Sequence, residues 1–246
     1  MTRASERSIR AVPASIIIAL VICASLQYVV QKNLSDLRAD ARSLPPPPSI
    51  EFATLASLDS PIFAAQLIML RLQSFDVQPG ISLSFKSLDY ERVIAWLAVI
   101  LKLNPDGQYP LLSAVRVYGE VQDPARQRRI LNFVRDEFEK DPTHRWPWLA
   151  HAVYVAKHRL KDNAYALLLA EQLAAHQDNS SIPSWARQMN IFVLEDMGEL
   201  ESAKVLLGGL LDSGKITDPH EQWFLSNRLA ELEQQISEQT KAKNKR

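Results

Sequence analysis

Residues 89–105, DYERVIAWLAVILKLNP, carry a helix start, one apolar face and a stop. Asp89 offers a side-chain oxygen to the unpaired N–H groups at a helix N-terminus, and Glu91 adds negative charge in the first turn. Val93, Ile94, Leu97, Ile100 and Leu101 recur at helical spacing and so share one face. Asn104-Pro105 ends the run, because proline pushes the residue before it out of the α region. A stripe of this kind is not buried by one helix alone, so neighbouring helices are required.

The composition supplies them. Of 246 residues, 47% are hydrophobic and 23% charged, and only 7 are glycine. Ala, Leu, Glu, Gln, Arg and Lys are common, whereas alternating runs of β-branched residues are nearly absent, which predicts an all-α protein. A formal net charge of +0 weighs against a nucleic-acid binder that works through a broad basic surface. Cys23 is the only cysteine, so an intramolecular disulfide is impossible.

Upstream, residues 11–30 read AVPASIIIALVICASLQYVV, with no charge between Arg10 and Lys32. About 20 apolar residues suffice to cross the ~30 Å hydrocarbon core, so a transmembrane helix is predicted over residues 11–31. Arg3, Arg7 and Arg10 precede it, and Lys32, Arg38 and Arg42 follow, so the charge bias is slight. The short tail and long body favour a signal-anchor with residues 1–10 in the cytoplasm. In a bacterium the protein would then be single-pass in the inner membrane, with its C-terminal domain in the periplasm. Cleavage competes, since Cys23 and Ser25 are small residues two apart, but Gln27-Tyr28-Val29-Val30 keeps the segment apolar beyond them. Residues 32–49 read as a charged, proline-rich linker whose Pro45–Pro48 run favours stiff polyproline II.

The remaining chain, 50–239, reads as one helical domain before a basic tail at 240–246. Asp59-Ser60-Pro61 starts a helix in which Phe63, Leu67 and Leu70 are expected to face inward. Residues 76–88, with Pro79-Gly80, read as a loop. Prolines then follow helical segments at Pro105, Pro142, Pro183 and Pro219, separated by 37, 41 and 36 residues. That period marks stacked helix pairs. The last helix, from Asp218 to Gln239, is expected to bury Trp223, Leu225, Leu229, Leu232 and Ile236 and to show Glu221, Arg228, Glu231 and Glu238 to solvent.

On these residues the chain resembles the tetratricopeptide-repeat family. Asp89–Pro105 looks like the second helix of such a repeat, with Val93 at the small inward position. Asp123–Pro142 is similar, with Ile130 there; Lys161-Asp162 followed by Ala166, Ala170 and Leu173 is a third match. Gly198-Glu199-Leu200-Glu201-Ser202-Ala203 is a fourth. The first helices of the pairs, Tyr109–Val121, Arg145–Arg159 and Ser184–Met197, lack the family's usual Leu-Gly pair. The resemblance implies a right-handed superhelix of antiparallel helix pairs (a TPR-like solenoid) after one transmembrane helix. It leaves the ligand open, since such repeats bind many unrelated partners.

No constellation points to catalysis or a cofactor. His144, His151 and His158 are spaced by seven, roughly 10 Å apart per pair on a helix, too far for one metal ion. Arg126, Arg128, Arg129 and Arg135, with Asp123, Asp136, Glu137, Glu139 and Asp141 nearby, read as a solvated face of mixed charge. Trp146, Trp148, Trp185 and Tyr154 either line a groove or pack between helices. The reading is a non-catalytic scaffold or adaptor that holds an envelope protein near the membrane, with no cofactor or metal. On its concave face, Tyr109, Arg116, Trp148, His151, Lys157, Arg187 and Asn190 are the partner-binding candidates. The alternatives are a helical hydrolase of envelope polymer and a structural module that forms homo-oligomers.

Overall fold

The computed structural model describes residues 13–34, 41–214 and 216–243. The tail 1–10 with its three arginines, Arg38, and residues 244–246 of the basic tail lie outside the described residues. Among the described residues, twelve α-helices and one short hairpin divide into two units.

The first unit contains α1 (Ala14–Leu34) and the hairpin β1 (Val77–Gln78) and β2 (Ile81–Ser82). α1 lies slightly C-terminal to the predicted 11–31, and its Ala14–Lys32 stretch is long and apolar enough to cross a membrane. At a rise of 1.5 Å per residue, a 21-residue helix is about 31 Å long. The hairpin corrects the expected loop. Pro79-Gly80 makes its turn because Gly80 takes φ +78, the left-handed conformation glycine tolerates. The Gln78 amide accepts from the Arg42 N–H at 2.9 Å and donates to the Arg42 carbonyl at 3.0 Å.

The second unit is helical. Its elements are α2 (Ile50–Ala56), α3 (Pro61–Gln73), α4 (Tyr90–Leu103), α5 (Tyr109–Ser113), α6 (Pro124–Lys140), α7 (Pro142–His158) and α8 (Asn163–Ala175). They continue with α9 (Ser184–Arg187), α10 (Met189–Asp196), α11 (Leu200–Asp212) and α12 (Pro219–Lys243). Among the described residues, the substantial helix contacts run between elements adjacent or nearly adjacent in the chain, as in α3 on α4, α6 on α7, α7 on α8 and α11 on α12. The four aligned inward positions, Val93, Ile130, Ala166 and Ala203, are all fully buried. α8 packs against α7, α9 and α10, which accounts for its nearly continuous apolar sequence.

Aspartates punctuate the stack. Asp89, Asp123, Asp141 and Asp162 each accept a backbone N–H from the first turn of the following helix. Such bonds satisfy donors that a helix leaves unpaired. Bonds from the Arg126 and Tyr165 N–H groups hold the Asp123 and Asp162 carboxyls below their ordinary range. Asp141 also ends α6, because it precedes Pro142; that proline is the first residue of α7. Pro142 and Pro219 therefore start helices as well as following them.

Six expectations change. Phe63, Leu67 and Leu70 are exposed, and α3 instead buries Ala64, Ala65, Ile68, Met69 and Leu72. The stretch is apolar on two faces, and the one with two alanines lets α4 approach closely. The proline run is held to the domain: Leu44 is buried, and the Trp96 indole N–H donates to the Pro45 carbonyl at 2.8 Å. The predicted helix Tyr109–Val121 is α5 followed by a π turn, Ala114–Tyr118, in which the Gly119 N–H reaches the Ala114 carbonyl. The predicted Ser184–Met197 helix breaks at Gln188, whose buried side chain donates to Glu221 at 2.6 Å. Trp223 is 67% exposed: it lies two residues, about 200° of helix, from buried Leu225, so the two cannot share a face. On the polar side of α12, Glu221 and Arg228 are engaged with the domain, Arg228 pairing with the buried carboxylate of Glu195 on α10.

Among the described residues, one ion pair is buried on both sides. The Arg145 guanidinium on α7 donates to the Glu137 carboxylate on α6 at 2.6 Å, with both side chains 7% exposed. It also donates to the Glu137 carbonyl at 3.0 Å and to the Pro105 carbonyl, just after α4, at 3.2 Å.

Two measurements probe these features. Arg145→Ala leaves the buried Glu137 carboxylate with Lys140 alone as its cationic partner and should lower the unfolding free energy by ~3 kcal/mol in urea titrations, the low end for a broken buried pair, whereas pairing Arg145→Met with Glu137→Leu should recover most of it. Equal losses would mean the pair is not what joins the helices. Gly198 turns α10 into α11 at φ +78, with open space where a Cβ would stand. Gly198→Ala should therefore cost about 1 kcal/mol or more through the backbone alone. Gly209→Ala, inside α11 and equally unobstructed, should raise stability by about 0.5–1 kcal/mol in the same assay.

Candidate functional site: an aromatic groove on the seventh helix

Within α7, Trp146, Ala150 and Tyr154 are four residues apart, so they line one face. Pro147 and His151 flank that line. Across from it stand Arg116 and Glu120, in and just after the π turn, with Trp185 of α9 and Met189 of α10. Together with Arg159 these side chains enclose an open groove of about 790 Å³. The Trp146 and Trp185 rings meet edge to face with centroids 5.6 Å apart. Tyr154 lies 5.7 Å from the His151 ring and 4.7 Å from the His158 ring. Trp185 is 55% and Tyr154 45% exposed, so large apolar surfaces face water here.

The groove's charge is unbalanced. Glu120 pairs with Arg159 at 3.0 Å, while Arg116 is exposed and has no hydrogen bond or ion pair among the described residues. Burial of the His151 imidazole pushes its pKa below the ordinary 6.5; the positive charge of Arg116 pushes the same way, and Glu120 opposes. Burial and Arg116 both favour the neutral imidazole. Its buried Nε2 has no hydrogen-bond partner. The site therefore offers ring faces, one unpaired guanidinium and a neutral imidazole.

The seven candidates from the sequence are dispersed. Arg116 and His151 line the aromatic groove. Arg187 and Asn190 line a recess of about 490 Å³ near α11 and α12, where Arg187 donates to the Gln177 and Asn179 carbonyls at 3.0 and 3.1 Å. Tyr109 lies in a third depression, beside α3, and is bonded to Gln73. Trp148 donates its indole N–H to Gln108 at 2.6 Å, and Lys157 pairs with Asp196. Of the four aromatic residues singled out in the sequence, Trp146, Tyr154 and Trp185 line the groove and Trp148 does not. Pro147, Met189, Glu120 and Arg159 carry no motif; the spacing of 146, 150 and 154 is the signal that one face of α7 is involved.

Each member of the arginine group is in an ion pair: Arg126 with Asp123, Arg128 with Asp162, Arg129 with Glu91 and Arg135 with Asp136. This is a face of mixed charge, as the sequence suggests. His144 sits on the Asp141 cap at 2.9 Å, away from the other two histidines of the series.

The electrostatics can be checked by titration. His151 should titrate below pH 6.5 by heteronuclear NMR. Arg116→Gln removes a repelling charge and should move the midpoint up, whereas Glu120→Gln removes an attracting one and should move it down. An unchanged midpoint in both variants would place Arg116 and Glu120 outside its field. Compared with known proteins, the chain matches no family model, no curated protein and no solved structure.

Proposed function

We propose that this chain is a membrane-anchored, non-catalytic adaptor that captures a protein partner in the groove between Trp146, Tyr154 and Trp185. The helical domain is of the tetratricopeptide type, a right-handed superhelix of antiparallel pairs. α1 holds it in the bacterial inner membrane, with the domain in the periplasm. The observation that carries the reading is the exposure of two large rings beside an unpaired arginine. Covering the exposed parts of both rings would contribute on the order of 5 kcal/mol before the cost of association. Aromatic and arginine side chains are the residues that most often dominate binding energy. The contact pattern of neighbouring helices and the four buried small positions support the repeat architecture.

A second reading, self-association, is favoured by the exposed Trp223 and Phe224 on the final helix, which with Phe192 line a recess of about 340 Å³. One experiment separates the two. A photo-crosslinker placed at Trp185 in the intact membrane protein should give a discrete adduct with a different protein. That adduct should disappear when Arg116 and Tyr154 are both changed to alanine, with helicity unchanged. An adduct at twice the chain's own mass would favour self-association, and the same adducts from a crosslinker at exposed Glu201 would sink the groove assignment.

A further inference from the structure

The first helices of the domain leave an apolar surface uncovered. α2 exposes Phe52 at 65% and Leu55 at 78%; α3 exposes Ile62, Phe63, Leu67 and Leu70 at 47–61%. Phe63, Leu67 and Leu70 are spaced by four and three, so they form one stripe opposite the stripe that packs on α4. Between the helices Leu58 is 93% exposed. Leu58 and Asp59 take φ +54 and +61, a left-handed conformation that residues other than glycine avoid. The buried Ser57 hydroxyl braces this elbow by donating to the Thr54 and Ser60 carbonyls at 2.9 and 3.0 Å. A rigid turn that presents a leucine to water is costly unless something apolar receives it.

We infer that the α2–α3 elbow seats in the interfacial layer of the membrane that α1 enters, with Leu58, Phe63 and Leu67 in contact with lipid. This rests on the reading of α1 as an anchor. Three observations favour lipid over a protein surface. No charged residue occurs between Asp59 and Arg71, so the elbow and the outer stripe of α3 offer no ion pair to specify a partner. α2 and α3, bent by 104° where they meet, are together apolar enough to cross a membrane by length and composition. The inner face of α3 is committed to the domain, so the pair lies on a membrane with its outer face embedded, as interfacial helices do. The third is the tether. Leu44 and Pro45 are fastened to α4 through Arg92 and Trp96, and about ten residues separate Leu44 from the end of α1, a reach of at most ~35 Å. α3 packs on the same α4, so the tether enters the domain on the helix that carries this face.

The test uses the full chain with Cys23→Ser, reconstituted in vesicles of phosphatidylcholine and phosphatidylglycerol. Single cysteines at Leu58, Phe63, Leu20 and the exposed loop residue Ser180 carry an environment-sensitive nitrobenzoxadiazole label, and nitroxide lipids serve as quencher. Labels at 58 and 63 should emit to the blue and be quenched severalfold more than the label at 180, with 20 quenched as the anchor control. Quenching at 20 but not at 58 and 63 overturns the elbow and leaves the anchor intact. A label at 20 that escapes the quencher overturns the anchor reading itself. Blue-shifted but unquenched labels at 58 and 63 mean a protein, such as a second copy, covers the face, which also overturns the proposal. Leu58→Asp with Phe63→Asp should retain the helical circular dichroism, since both side chains are exposed, and should abolish quenching of a label at Leu55.

Discussion

A buried arginine joins three helices that local sequence makes separately. Arg145 enters from the first turn of α7, meets the Glu137 carboxylate of α6 and reaches the carbonyl of Pro105 beyond α4. Two charges taken out of water repay their desolvation only where geometry and extra hydrogen bonds are favourable. The carbonyls of Glu137 and Pro105 supply those bonds. The pair therefore fixes where α7 leaves α6, and every residue of the aromatic groove contributed by α7 follows from that direction. Trp146 is the next residue after Arg145, so the buried anchor and the edge of the groove are adjacent in the chain.

Opposite α7, the groove depends on irregular backbone. The π turn at Ala114–Tyr118 widens the helix carrying Arg116. Its exit is fastened by the Tyr90 hydroxyl donating to the Tyr118 carbonyl at 2.9 Å and by buried Gln127 donating to the Gly119 carbonyl at 3.0 Å. The break at Gln188 separates Trp185 on α9 from Met189 on α10, and both reach the groove. Both irregularities are held by long-range hydrogen bonds, which explains why helical spacing alone predicts uninterrupted helices there.

The two apolar surfaces left open have different chemistry. The groove mixes aromatic rings with an unpaired cation and a neutral imidazole, a combination suited to a partner with defined polar groups. The α2–α3 face is aliphatic and phenyl, without charge over the whole stretch between Asp59 and Arg71. One favours recognition and the other favours insertion.

Helix existence and punctuation were readable from the amino-acid sequence. Asp89 announces a cap, Asn104-Pro105 and Asp141-Pro142 announce breaks, and residues 11–31 announce a helix apolar enough for a bilayer, found at Ala14–Lys32. These signals act through a residue's own backbone and its immediate neighbours, so no fold is needed to read them. Which apolar stripe turns inward was not readable wherever a helix carried two. α3 could bury Phe63, Leu67 and Leu70 or Ala64, Ala65 and Ile68; close approach to α4 selected the second. Likewise Trp223 points outward because Leu225 and Leu232 fill the space against α11. Local chemistry determined where helices begin and end, and only tertiary packing decided which faces remained for function, because burial is a competition among neighbours that a single segment does not contain.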